Sequence, residues 1–440
     1  MTGLLAGSAG WGLFWGVWAA LLPGVKHQIG ADSGQLGLAL FTVPLGAIPA
    51  MLGMGPVFDR YGRPALGATL LLFAVVSVLP GFASGTIPLA GSLLLVGATS
   101  GAIEVALNAA TAAEEAGTGQ RLFNRVHAVT PIAMIVGAPL AGAARQAGFT
   151  PAQVLSAVAL LLVASAVPNL TGRRPAPPTR TQGLRWSGWL FGYGLAGAAV
   201  LFMENAVEQW SAVLLETDLG TGPFLASLGP AGYLVALSLG RFLAQRYGEG
   251  LTPRRAVALA GAGAGAGVAV AATASHPALA LAGFGIAGLA AAPALPTLLA
   301  AVARFANPPG AALATVTTVS YLGFLASPTA VGQVGSAVGI PAALGWVAGV
   351  GGLLAAGCGV RWAMRRRVQI RTAATVGLGD WAHDSGRAVG AGSRGGPDGT
   401  AAVNPTASDL LAGDHATGGS GESDSGSTGG TAPYQRLTDA

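Results

Sequence analysis

Twelve blocks of about 20 apolar residues, separated by short segments that hold nearly all the charge, run through residues 3–362. They span 3–24, 34–55, 65–84, 87–110, 123–145, 150–170, 187–213, 222–244, 254–274, 277–301, 311–335 and 340–362. A bilayer core about 30 Å thick is crossed by roughly 20 helical residues rising 1.5 Å each. A helix satisfies its own backbone hydrogen bonds within one such block, which lipid requires. Charged residues make up only 9% of the chain, against about 25% in soluble proteins. So little charge cannot cover a water-facing surface of this size. The expected fold class is therefore an all-α polytopic membrane protein with twelve transmembrane helices. The first block lacks a basic leader and runs past signal-peptide length, so it reads as a retained span.

The basic residues test the count. With the N-terminus placed in the cytoplasm, the inward connections hold Arg60 and Arg63; Arg121 and Arg125; Arg173, Arg174, Arg180 and Arg185; Arg241, Arg246, Arg254 and Arg255; Arg304; and Arg361 to Arg371. The outward connections hold only Lys26 and Arg145. Cations resist translocation, so this bias predicts both termini on the cytoplasmic side of the membrane. Other classes fall away. No basic stripe is interleaved with aromatics, which argues against nucleic acid. The single cysteine, Cys358, excludes an intrachain disulfide and a cysteine-built metal site. Neither H-E-x-x-H nor G-x-S-x-G occurs, so the sequence points to no enzyme, metal or cofactor. The run "GAGAGAG" at 261–267 sits in mid-span with no strand before it, and reads as helix packing rather than a nucleotide loop.

The Pro/Arg-rich segment 171–186 divides the spans six and six. The expected organisation is an N-terminal six-helix bundle over 1–170, a cytoplasmic linker over 171–186, a C-terminal six-helix bundle over 187–362 and a tail over 363–440. From residue 372 the tail is Gly, Ser, Thr and Asp with few apolar residues, and is expected to be disordered. The halves repeat each other. "RYG" recurs at 60–62 and 246–248, and "GAPLAG" at 137–142 corresponds to "ASPTAVG" at 326–332. The offsets nearly agree, at 186 for Arg60 to Arg246 and 189 for Pro139 to Pro328. Parallel repeats of this kind mark two pseudo-symmetric bundles.

Between the second and third spans stands "GPVFDRYGR", which carries Gly55, Asp59, Arg60, Gly62 and Arg63 in the pattern G-x-x-x-D-R-x-G-R. This resembles the signature loop of the major facilitator superfamily, although Pro64 stands where that family usually has a second basic residue. Over residues 1–365 the twelve spans and their 6+6 division resemble it too. The resemblance implies a conformational latch in this loop, with Asp59 engaging the start of span eleven near Ala311 in the outward-open state. "GAIEVALNAATAAEE", "RLFNRVHAV", "ENAVEQW" and "SYLGFLASPTAVG" are similar to the YbjJ/MosC-like branch of bacterial inner-membrane transporters. The basic residue expected in span one of that branch is missing, as is the span-four arginine of drug/proton antiporters.

Ionisable groups inside spans cost about 2.5–3.5 kcal/mol on insertion scales and so point to function. Gly97, Gly101, Glu104 and Asn108 share one face of span four. In span seven, Glu204 and Glu208 lie one turn apart beside Asn205, Gln209 and Trp210. Two carboxylates that close repel when both are ionised, and a pair that holds a proton suits proton coupling. Trp210 could wall a cavity or mark the membrane interface. His127, one turn into span five, could titrate with transport or simply end a helix. Tyr321 and Tyr233 are further cavity candidates, and Trp11, Trp15 and Trp18 form an aromatic stripe read as lipid-facing. The set expected to serve substrate or proton coupling is Glu104, Asn108, His127, Glu204, Asn205, Glu208, Trp210 and Tyr321.

These features converge on a secondary active transporter working by alternating access. It would take a small-molecule substrate, use protons as the coupling ion, sit in the lipid bilayer and act as a monomer. The alternatives are an efflux pump for an amphipathic compound and a membrane sensor or scaffold acting through the tail.

Overall fold

The computed structural model describes residues 1–171, 187–306 and 309–358. The linker expected over 171–186, beyond Thr171 itself, and the tail from 363 lie outside the described residues. Among the described residues, twelve helices are long and apolar enough to cross a membrane: α1 Thr2–Gln28, α2 Ser33–Tyr61, α3 Arg63–Phe82, α4 Thr86–Thr118, α5 Phe123–Gln146, α6 Pro151–Asn169, α7 Gly188–Asp218, α8 Pro223–Tyr247, α9 Pro253–Ala272, α10 Pro277–Phe305, α11 Gly310–Val338 and α12 Ile340–Cys358. Each overlaps the block read from the sequence. Several run longer, because a helix can continue past the lipid once its end is capped. Thus α4 proceeds to Thr118, where Gly119 adopts a left-handed conformation at φ 68°.

Local signals account for the starts. Asp32 accepts from the Gln35 amide while the Gln35 side chain accepts from the Asp32 amide, and Thr150 with Gln153 repeats this capping box. Glu115 accepts the amides of Leu122 and Phe123 and so places a carboxylate at the start of α5. Gly62 turns the chain between α2 and α3 at φ 67°, a conformation that costs glycine little.

Small residues set the packing, as they do where helices meet in lipid. Gly97 of α4 lies against the backbone of Val43 in α2, with no space for a Cβ. The repeat appears in three dimensions as the same helix pairs joined the same way. Gly137 of α5 packs on Leu13 of α1, and 186 positions later Gly323 of α11 packs on Ala198 of α7. The α2–α4 contact through Gly97 likewise returns as α8–α10, where Gly288 sits against the backbone of Tyr233. In "GAGAGAG", Gly261 and Gly265 meet α12 while Gly267 meets Gly283 of α10. Helix α9 widens into a π turn over Ala260–Ala264 at that point. The fold is two six-helix bundles. Their outer faces expose Leu52, Ile87 and Leu353, as a lipid-facing surface should.

Candidate functional site

Among the described residues, the bundles meet closely at one end. There Arg145 of α5 donates to both carboxylate oxygens of Glu216 in α7, at 2.6 and 2.7 Å, and also donates to the Ala20 carbonyl of α1 at 3.3 Å. Glu216 lies in a π turn, Leu214–Asp218, that ends α7. Gly142 of α5 faces Ser227 of α8 without space for a Cβ. From α11, Thr329 donates to the Gly37 carbonyl at 3.3 Å and Gln333 to the Gly34 carbonyl at 3.2 Å. All these residues lie at the end away from Met1 and from the arginines of the other face.

Toward that other, arginine-rich face a cavity of about 330 Å³ lies between the halves. Its first wall comes from Trp11 of α1, Glu104, Leu107 and Asn108 of α4, and His127, Thr130, Pro131 and Met134 of α5. Its second comes from Glu204 and Glu208 of α7 with Leu234, Leu237, Ser238 and Arg241 of α8. A larger hollow of about 570 Å³ between α5 and α8 near the closed end has Gln146 as its one polar side chain, and offers nothing to orient a polar solute.

Helical geometry explains who reaches the cavity. On α4, Gly97 and Gly101 are spent on contact with α2. One and two turns further, Glu104 and Asn108 emerge from that contact into the open space. Tyr321 of α11 donates its hydroxyl to Glu104 at 3.3 Å, a bond that joins the two halves. On α8, Leu234, Leu237, Ser238 and Arg241 repeat at steps of three, one and three, which keeps them on one face. Arg241 approaches Glu204 at 4.0 Å. Both Trp11 and Trp15 donate their indole N–H to Ser100 of α4, at 2.8 and 3.2 Å. Trp11 therefore faces the cavity, not lipid. His127 stacks on Phe123 and is exposed at the cavity margin.

Two residues expected at the site face elsewhere. Each helical residue turns about 100° from the last. Asn205 is therefore carried off the Glu204–Glu208 face, and Trp210 toward its far side. Asn205 is 1% exposed and Trp210 0%, and neither lines the cavity. Trp210 is thus neither an aromatic cavity wall nor a marker of the interface, but a core residue. Conversely, the sequence reading counts Arg241 among connecting-segment charges and Arg145 as an outward exception. The three-one-three spacing on α8 is the signal that could have found Arg241. The loop residues Asp59 and Arg60 are exposed. Arg60 lies over Tyr61, while Arg63 donates to Asn169 at 3.2 Å and to Glu114 at 3.5 Å, within its own half. Asp59 makes no cross-half contact among the described residues, because α2 and α11 touch at their other ends. Gly55 has open space around it.

No family model matches the chain. It is 30% identical over 346 residues to an uncharacterised MFS-type transporter of Yersinia pestis, covering 77% of this chain and 89% of that one. It is 25% identical over 348 residues to membrane protein MosC of Rhizobium meliloti, covering 78% and 86%. Among solved structures, the nucleoside transporter NupG aligns with a TM-score of 0.65 at 12% identity, over 82% of this chain and 98% of that one. An inward-facing, occupied bacterial homologue of the human lysosomal transporter Spinster aligns at 0.61 and 15% identity, over 81% and 95%. These two likenesses concern the fold. Taken with the twelve spans and the repeated halves, the relative in Yersinia pestis shows that the chain belongs to the major facilitator superfamily of transporters.

Proposed function

We propose that the chain carries a small organic solute across the cytoplasmic membrane by alternating access, with Glu104 and Glu204 binding the coupling protons. The observation that carries this reading is the asymmetry of the inter-half contacts. Arg145, Gly142, Thr329 and Gln333 close one end, while the carboxylate-lined cavity lies toward the other. The arginine bias supports a cytoplasmic position for the cavity side, and on that reading this arrangement is an inward-open state. In the opposite state the cavity would close around Tyr321 and Glu104, and Asp59 would reach the start of α11. Protonating a buried carboxylate removes a charge whose desolvation opposes closure, which links the proton gradient to the rocking of the halves. Proton-gradient-driven uptake or release in proteoliposomes tests the reading. Glu104→Gln and Glu204→Gln should each abolish the dependence on the gradient. Full gradient-dependent transport by both variants would refute the coupling.

A further inference from the structure

The transporter reading leaves the solute open, and the charge of the cavity narrows it. Three carboxylates line the space, Glu104 on the first half and Glu204 and Glu208 on the second. The cations on its walls are Arg241 and, when protonated, the exposed margin residue His127. Arg241 is 44% exposed and, among the described residues, pairs with Glu204 at 4.0 Å. Glu104 is held instead by the Tyr321 hydroxyl. Beside Glu204 and Glu208, and within electrostatic reach of both and of Arg241, lies the Tyr233 hydroxyl. It is buried at 1% exposure and has no hydrogen-bond partner among the described residues. Opposite, Trp11 has its N–H engaged by Ser100, so it offers the cavity ring surface, the part of an indole that attracts cations. Asn108, Thr130 and Ser238 supply neutral hydrogen-bonding groups. At about 330 Å³ the space is at the small end of ligand pockets, roughly 300–1,000 Å³.

We propose that the cavity takes a small organic cation, a hydroxylated solute bearing one protonated amine, held between Glu104 of the first half and Glu208 of the second. This rests on the transporter reading and deepens it. Because the two carboxyl groups belong to different bundles, an ammonium group between them can donate to both walls and so favours their approach. A carboxylate-bearing solute of the same size would meet carboxyl groups on both walls, with the one arginine already turned to Glu204.

The test uses the purified full-length chain in nanodiscs and solutes matched in size that differ in one group. The sets are glucosamine, glucose and glucuronate; 4-aminobutanol, 1,4-butanediol and 4-hydroxybutyrate; and serinol, glycerol and glycerate. At least one amine should raise the melting temperature while its neutral and acidic counterparts do not. Glu104→Gln and Glu208→Gln should each weaken that amine about tenfold or more, since each removes a charge-assisted bond. Arg241→Gln should tighten that amine by about threefold or more, because it removes the cation that faces Glu204 on the cavity wall. Stabilisation by a neutral or acidic member, the absence of any amine effect, or loss of binding in Arg241→Gln would each overturn the proposal. Transport separates this failure from that of the parent reading. A neutral or acidic solute moved across proteoliposomes would sink the amine and keep the transporter. An amine that binds but is never moved would keep the site and sink the transporter reading.

Discussion

Two arginine–glutamate pairs, one at each end of the molecule, are built to opposite specifications. Arg145 and Glu216 meet in a fork at 2.6 and 2.7 Å, with side chains 10% and 20% exposed, and the arginine also holds α1 through Ala20. Arg241 and Glu204 stand 4.0 Å apart, with the arginine 44% exposed. The first geometry gains from two parallel charge-assisted bonds and joins the bundles. The second is too long for a hydrogen bond, lies within one bundle and lines the cavity. The same residue types thus form a tight clamp at the closed end and a loose pair on the cavity wall.

Breaking the clamp should have the largest effect. Arg145→Ala or Glu216→Ala leaves the other charge partly buried and unpaired. Each should destabilise the closed end by about 3 kcal/mol, toward the low end for buried pairs because water still reaches both groups. Spin labels on α5 and α8 should report a broader distance distribution there, and Arg145→Glu with Glu216→Arg should restore the narrow one. Loss of the Tyr321 hydroxyl comes next. Tyr321→Phe removes the bond that ties Glu104 to the second half, and should cost about 1 kcal/mol of inter-half coupling, measured as the interaction term of a double-mutant cycle with Glu104→Gln. Arg241→Gln should change thermal stability by less than about 1 kcal/mol, because its pair is long and exposed. A loss as large as that of Arg145→Ala would erase the contrast between the pairs. The smallest effect belongs to Asp59→Asn, within about 0.5 kcal/mol in the described conformation. A pronounced slowing of transport by the same variant would then place the role of Asp59 in the other conformation.

Much of this could be read along the chain. The twelve spans follow from bilayer thickness and the cost of charge in lipid. The repeat showed in the offsets of "RYG" and the proline motifs, and returned as glycine contacts 186 positions apart. The face of α4 was legible because Gly97, Gly101, Glu104 and Asn108 keep helical spacing. Asn205 and Trp210 were misread because adjacency in sequence to Glu204 and Glu208 is not adjacency on a helix. Arg145 could not be matched to Glu216, since no local rule relates residues 71 positions apart.

The sequence by itself determined how many times the chain crosses lipid, that it does so as helices, and that the halves are copies. These properties depend on transfer energies and periodicities that are local. Only the tertiary structure decided which end of the bundles is closed, which faces of α7 and α8 meet the cavity, and which carboxylates stay without a close cation. Those depend on how each helix is rotated and which neighbour it touches, and that is set by contacts between residues far apart in the chain.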